Sequence, residues 1–311
     1  MSNSTDQFLE ILSAFFFLYA MYSMASMSGL LSERSGVINI GVEGTMVIGA
    51  VWFALLFNEF NKTINVQGSI ALAIIISVII SAIYIQILSL ITVKYLANHV
   101  IAGTGLNLLA PALGILTSGI MTGNTALVSQ PDLRSYFIVL SDGGHFSTLG
   151  VIVTAFTIVI SVSAWFFLNK TKYGLRLKAS GENPYALETS GISVNKMKYI
   201  ALTFSGLLAG FAGTVFVMDK QFTFSVFGNG FIAIGILIFG QWTIVGTTIG
   251  SGLIAILVAI FKNWVTVFGG ESQTGYLMNM IPFVIPIVGL MIFKNVTGPA
   301  SIGKPFKKDM R

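Results

Sequence analysis

The sequence predicts an all-α, multi-pass membrane protein: a polytopic bundle of about nine transmembrane helices, within a range of eight to ten. The 311 residues are 54% hydrophobic and only 9% charged, whereas soluble domains carry about 25% charged residues. The apolar residues are also gathered into runs near the roughly 20 residues that a helix needs to cross a bilayer. We therefore expect lipid to surround the chain, with residues 1–311 forming a single transmembrane domain.

Nine apolar runs follow one another along the chain. In order, the predicted spans are residues 8–28, 37–57, 69–93, 100–121, 148–168, 199–218, 228–240, 243–261 and 277–293.

Three of these spans are unusual for simple membrane helices. The second contains three glycines together with Asn39 and Glu43, the fourth contains Pro111, and the seventh is too short to cross as a straight helix. Irregular backbone is tolerated at membrane depth only where protein or a water-filled cavity satisfies its polar groups. The pattern predicts interrupted helices of the kind found in transporter cores.

The basic residues predict the orientation of the chain. A long polar stretch, residues 169–198, separates the fifth and sixth spans, and its lysines and arginine favour the cytoplasmic side. Alternating the loops from there leaves four of the 17 basic residues outside, namely Lys62, Arg134, Lys220 and Lys262. The other 13 lie inside, which predicts an outside N-terminus and a cytoplasmic C-terminus.

Two glycine-rich segments, residues 35–49 and 228–246, occupy comparable places in the two halves of the chain and suggest an internal pseudo-repeat. Corresponding interrupted segments in two halves point to a central binding path. Glu43 is the sharpest residue there, because a carboxylate in hydrocarbon is costly and by default faces a cavity or a partner. Asn39, four residues earlier, is expected on the same helical face, and Asn107 of the fourth span is a third candidate.

Two readings of Glu43 stay open. With Asn39 it could line a polar path and bind a sugar-like solute, or it could brace a broken helix by accepting hydrogen bonds from its free N–H groups. We expect no second membrane carboxylate that could relay protons. Phe227, directly before the second glycine-rich segment, and Phe231 and Trp242 within it could stack on a flat solute such as a nucleobase, although packing would also explain each of them.

Several kinds of chemistry have no support in the sequence. The chain has no cysteine and two histidines far apart, so we expect no metal site, no catalytic residue and no cofactor, and the dispersed positive charge does not indicate nucleic acid. Residues 298–304 match the first part of a phosphate-binding loop. Pro305 stands where that loop needs a hydroxyl residue, however, and too few residues follow to form the required helix.

Three segments together carry a family resemblance. Residues 32–46 read Ser-Glu-Arg-Ser-Gly-Val-Ile-Asn-Ile-Gly-Val-Glu-Gly-Thr-Met, residues 181–192 read Gly-Glu-Asn-Pro-Tyr-Ala-Leu-Glu-Thr-Ser-Gly-Ile, and residues 205–213 read Ser-Gly-Leu-Leu-Ala-Gly-Phe-Ala-Gly. From about residue 29 to residue 289 the chain resembles permease subunits of bacterial ABC importers of the branched-chain amino acid and simple-sugar class. The wording Gly-Val-Glu-Gly at residues 41–44 is most similar to the nucleoside-importing subgroup. One departure is residues 241–246, where many relatives carry a proline before the glycine.

The resemblance implies a non-catalytic permease in the bacterial plasma membrane that forms half of a path for nucleosides. It implies four partners: a related second permease in a heterodimer, an ABC ATPase that binds ATP and magnesium, an extracytoplasmic solute-binding lipoprotein, and the small-molecule solute. The family's ATPase-coupling segment maps onto Gly181, Asn183, Pro184, Ala186, Glu188, Gly191 and Ile192. Pro184 suits the start of a short helix and Gly191 its end, although a passive amphipathic linker would contain the same residues.

Two alternatives to this function remain at the level of sequence. The same architecture could import a simple sugar or a branched-chain amino acid. A protein of a different class, an ion-coupled secondary transporter working alone, would also contain interrupted helices.

Overall fold

The structure is a computed structural model that describes residues 4–123, 138–141, 144–219, 224–262, 284 and 298–307. Within these ranges a π-helical turn, Leu90–Lys94, extends the third helix, and two short strands, β1 (Ile138–Ser141) and β2 (Gly144–Ser147), pair antiparallel. The described α-helices are α1 (Ser4–Arg34), α2 (Val42–Phe60), α3 (Val66–Ser89), α4 (His99–Thr122), α5 (Thr148–Lys170), α6 (Lys172–Glu182), α7 (Pro184–Thr189), α8 (Val194–Asp219), α9 (Asn229–Phe239) and α10 (Ile244–Lys262).

The predicted polytopic helical bundle is confirmed. Seven described helices, α1 to α5, α8 and α10, are long and apolar enough to cross a membrane, and α9 is a shorter apolar helix. These eight helices correspond to the first eight predicted spans. The ninth predicted span, residues 277–293, lies outside the described residues except for Val284.

Some predicted details are wrong. The second span was expected from Val37, but α2 begins at Val42, so Asn39 precedes the helix and does not share a helical face with Glu43. Helix α1 continues past residue 28 to Arg34, so the buried Glu33 is a further carboxylate within a membrane helix, which the sequence analysis did not expect. Helix α4 also runs through Pro111 without interruption.

Helix α2 forms the centre of the bundle, packed against α3, α4, α8 and α9. From Met46 to Phe57 its residues are apolar on every side, which is typical of a helix buried all round. Glycines let α8 cross it in backbone contact, because a side chain on Gly213 would overlap the Met46 carbonyl and one on Gly49 would overlap Gly210. Gly206 and Gly210 of α8 also lie against α3, because a side chain on either would overlap Ala82 or Ser81, so these small residues serve packing within the bundle.

The polar stretch between the fifth and sixth spans folds into α6 and α7 at one end of the bundle. The predicted start and end of the short helix α7 are confirmed. Pro184 is its first residue, after the Asn183 side chain, which accepts a hydrogen bond from the Ala186 N–H at 3.1 Å. Gly191 follows the helix with a φ of +82°, a conformation that favours glycine. Helix α7 also contributes Leu187 to a small apolar cluster with α8 and the C-terminal segment.

Candidate functional site

Helix α9 begins inside the bundle, and its N-terminus is held by Glu43 of α2. The carboxylate accepts hydrogen bonds from the N–H groups of Gly228 at 2.7 Å and Gly230 at 2.6 Å. The first N–H groups of a helix lack partners within that helix and carry partial positive charge, so a carboxylate stabilises them in both respects. Of the two roles that the sequence left open for Glu43, these contacts correspond to the bracing of a broken helix.

The chain around this contact is closely fitted. Gly228 has a φ of +78°, and a side chain on Gly230 would come within 2.6–2.7 Å of Glu43. Between the two glycines, Asn229 accepts a hydrogen bond from the Tyr22 hydroxyl at 2.8 Å and donates to the Val226 carbonyl at 2.6 Å. The two glycine-rich segments of the sequence therefore meet in space at the start of α9.

The non-helical approach to α2 is held mainly by α4. The Asn107 amide donates to the Ile40 carbonyl at 2.9 Å and accepts from the Gly44 N–H at 2.8 Å, bridging the break before the helix. His99 accepts a hydrogen bond from the Ile38 N–H through Nδ1 at 3.1 Å. Backbone groups that a continuous helix would satisfy are thus satisfied by side chains, which is how irregular backbone survives at this depth.

Asn39 belongs to the same approach segment but points toward α8. Its Nδ2 donates to Ser205 Oγ at 2.9 Å, and Ser205 Oγ also bonds to Ser28 Oγ at 2.9 Å. The Asn39 Oδ1 atom is buried without a hydrogen-bond partner. Asn39 therefore links α1, α8 and the start of α2 within the bundle interior.

We expect Asn107→Leu to lower the free energy of unfolding by about 2–4 kcal/mol, because it leaves one donor and one acceptor unpaired at a partly buried site. Thermal or denaturant unfolding of the purified protein in detergent would measure the change. The exposed Asn169, whose amide donates to the Trp165 carbonyl, is a suitable control, and Asn169→Leu should cost less than about 1 kcal/mol. Equal costs for the two variants would contradict the bridging role of Asn107.

The three candidate aromatic residues do not lie together. Phe227 and Phe231, at the start of α9, are 57% and 48% exposed on the surface of the isolated chain. Trp242 follows the other end of α9, about 16 Å away at 1.5 Å per helical residue. Its indole Nε1 donates to Glu33 Oε2 at 2.6 Å, so its ring serves the end of α1 and not the same surface as the phenylalanines.

The departure at residues 241–246 has a defined geometry. Gln241 and Trp242 both adopt φ of +51°, which is uncommon for residues with side chains. The turn is held because the Trp242 carbonyl accepts a hydrogen bond from Arg34 Nε at 2.8 Å. The corner between α9 and α10 is therefore fixed by the end of α1.

The candidate coupling residues divide into two groups. Gly181 lies against α1, since a side chain there would overlap the Arg34 carbonyl, and its own carbonyl accepts from the Ser301 N–H at 2.8 Å. The others shape α7 and its exit: Glu188 Oε2 accepts from the Val194 N–H at 2.9 Å, and Ile192 packs on the Leu187 cluster. The segment is thus a folded unit attached to the membrane helices.

Sequence reasoning missed Tyr22, Glu33, Arg34, His99 and Ser205 as structural partners of the candidate site. Glu33 and Arg34 lie within the 32–46 segment that carried the family resemblance, but Arg34 was counted only for its charge. The pairing of residues some 200 positions apart leaves no local signal in one sequence.

Partial burial lowers the pKa of the nearby Lys178 ammonium, and the positive charge of Arg34 lowers it further.

A comparison with protein-family models matches residues 11–291 to the family described as the permease component of branched-chain amino acid transport systems. The chain belongs to this family. The permease is also 34% identical over 296 residues to an uncharacterized protein of Mycoplasma pneumoniae, the MG121 homolog, covering 93% of each chain.

Two further relatives have names that state a transport role. The nucleoside ABC transporter permease protein NupC of Lactococcus lactis is 31% identical over 92% of each chain. The guanosine ABC transporter permease protein NupQ of Bacillus subtilis is 30% identical over 93% of each chain. The similarity extends through both helix breaks of the permease and through α6 and α7.

Proposed function

We propose that this permease forms half of the path through which an ABC importer carries nucleosides across a bacterial plasma membrane. The observation that carries the proposal is the braced break at α2 and α9 beside two exposed aromatic rings, Phe227 and Phe231. The similarity of this permease, over 92% and 93% of its chain, to permeases named for nucleosides and guanosine supports the same solute class.

The chemistry of the break favours an uncharged solute. A free helix N-terminus would suit the carboxylate of an amino acid, but at α9 the Glu43 carboxylate already occupies it. A nucleobase can stack on exposed phenylalanine rings. An ionised carboxylate has about four lone-pair sites, so Glu43 retains capacity to accept a hydrogen bond from a ribose hydroxyl. Asn39 and Asn107 hold the backbone that positions it.

The partners follow from the two ends of the bundle. We place the α6–α7 end in the cytoplasm, with the N-terminus outside, and α7 in contact with an ABC ATPase that binds ATP and magnesium. A second, related permease supplies the other half of the path in a heterodimer. A solute-binding lipoprotein delivers nucleosides at the opposite face. The permease itself is not an enzyme in this scheme and carries no cofactor.

The coupling role of α7 is tested at Gly191. Gly191→Ala should reduce ATP-driven uptake of radiolabelled guanosine and uridine about tenfold, because alanine at positive φ costs roughly 1–2 kcal/mol and reorients the exit of α7. Glu188→Ala, which frees the Val194 N–H, should act in the same direction.

Gly123, which directly follows the C-terminus of α4, offers a matched control. It also has a positive φ, +69°, and open space around it, so Gly123→Ala introduces the same strain far from α7 and should leave uptake within about twofold. Unchanged uptake in both α7 variants would refute ATPase docking there. Uptake that collapses with the proton gradient but survives ATP depletion would instead indicate a secondary transporter.

A further inference from the structure

We propose that Glu33, Arg34 and Trp242 form a positioning junction that transmits movement of α6 and α7 to the short helix α9. The inference rests on the proposed function, since it assigns a route from the ATPase-contacting segment to the residues beside the path. Each link in this route is a contact between described residues.

The first link fixes the C-terminal end of α9. The Trp242 N–H bonds back to the Leu237 carbonyl at 3.3 Å, so Trp242 moves with the last turn of the helix. Its indole donates to Glu33, a side chain only 5% exposed. Because Glu43 holds the other end, α9 is held at both termini by carboxylates from α1 and α2.

The second link joins the two helix breaks. The backbone N–H of Asn39, in the segment that leads into α2, also faces the Glu33 carboxyl and interacts favourably with it. One buried carboxyl group therefore lies between the corner after α9 and the approach to α2. A displacement of the end of α1 must move the corner with it or break the 2.6 Å hydrogen bond from the Trp242 indole inside the protein.

The third link connects this corner to α6. Arg34 donates through Nε to the Trp242 carbonyl at 2.8 Å, and its Nη1 lies 3.6 Å from Glu182 Oε1. Glu182 is the last residue of α6 and directly precedes Asn183, the cap of α7. The Arg34 side chain therefore contacts both the last residue of α6, next to the start of α7, and the turn that follows α9.

The C-terminal segment closes the junction from outside. The Ala300 N–H donates to Glu182 Oε2 at 3.2 Å, and the Gly303 N–H donates to the Gly36 carbonyl at 3.0 Å. Gly298 lies directly against the indole of Trp242. These contacts hold α6 to the end of α1, so the two are expected to move together. The effect at the far end of α9 would be to re-aim Phe227 and Phe231.

The absence of cysteine from the chain allows a direct test. The full-length chain carrying Phe231→Cys, assembled with its ATPase and second permease in nanodiscs, would be labelled with a thiol reagent in nucleotide-free and ATP–vanadate states. We expect the labelling rate to differ between the states. Trp242→Phe, which keeps the ring but removes the N–H donor, should reduce that difference at least threefold. In complexes whose permease retains Phe231, Trp242→Phe should also lower the guanosine taken up per ATP hydrolysed about tenfold, while hydrolysis continues.

Three further variants define the outcome. Glu33→Gln keeps an acceptor for the indole and should preserve most of the labelling difference. Glu182→Gln, at a half-exposed position with less effect on folding, should reduce it in the same direction as Trp242→Phe. Glu59→Gln removes an ion pair of 2.7 Å to Lys62 on an exposed surface and should change nothing.

The junction is overturned if Trp242→Phe and Glu182→Gln leave the labelling difference and the uptake-to-hydrolysis ratio unchanged. It is also overturned if uptake and hydrolysis fall in equal proportion, since that indicates a purely structural role. A wild-type complex, which retains Phe231, that takes up no guanosine would refute the proposed solute alone, because state-dependent labelling would still decide the junction.

Discussion

Replacing Glu43 with alanine is expected to abolish most transport and to destabilise the protein by about 3–5 kcal/mol, the worth of two hydrogen bonds to a charged group. The N–H groups of Gly228 and Gly230 would lose their acceptor inside the bundle. Since each 1.4 kcal/mol is a tenfold change in an equilibrium constant, the seating of α9 would be weakened by about a hundredfold or more. ATP-driven guanosine uptake and thermal unfolding in detergent would measure the two effects.

A graded series separates bracing from charge. Glu43→Gln keeps one acceptor oxygen for the two N–H groups, so its loss of stability should fall between those of the wild-type protein and Glu43→Ala. Glu59→Gln, on the exposed end of the same helix, should change stability by less than about 1 kcal/mol. If Glu43→Ala unfolds at the wild-type temperature, the contact does not hold α9.

Gly213→Ala is expected to destabilise the protein by at least as much as ordinary overpacking of a core, about 1–3 kcal/mol, and to lower the yield of folded protein. The added methyl group would overlap the Met46 carbonyl, and a backbone atom cannot move aside as the end of a flexible side chain can. Helices α2 and α8 would have to separate along their crossing. Size-exclusion chromatography after stepwise heating would report the loss.

Gly105 is the matched control for this prediction. It also lies in a membrane helix, α4, but nothing lies within 4 Å of the position where its side chain would be. Gly105→Ala should therefore leave stability unchanged or raise it slightly, because alanine favours helix more than glycine by about 1 kcal/mol. Equal destabilisation by the two substitutions would mean that helix propensity, not close approach, governs these glycines.

Local signals predicted local structure well. The eight apolar runs that correspond to described helices stand out because a bilayer admits little else, and α7 was delimited by Pro184 and Gly191, whose backbone preferences act on their own neighbours. The start of α2 was misplaced because Val37, Ile38 and Ile40 look like membrane helix. What keeps them non-helical is a set of distant side chains, Asn107 and His99 among them.

The candidate site was predictable in its residue types but not in its partnerships. A membrane carboxylate such as Glu43 is conspicuous by its cost, yet the sequence could not decide between solute and backbone as its partner. Trp242 was grouped with Phe227 and Phe231 by proximity in sequence, whereas α9 separates them. Its actual partner, Glu33, lies 209 positions away, and no periodicity records such a pairing.

The dependence of α9 on Glu43 has a consequence for how the protein is made. Glu43, which accepts the hydrogen bond from the Gly228 N–H, lies 185 residues earlier in the chain. Helices α1 and α2 are therefore synthesised long before the segment that they hold. An 11-residue helix cannot span the bilayer alone, and its leading N–H groups would be unsatisfied in lipid. Docking of α9 into the bundle should therefore be a late folding step that follows the membrane insertion of the earlier helices. Defects at Glu43 would first be visible as failed biogenesis and degradation by membrane quality control.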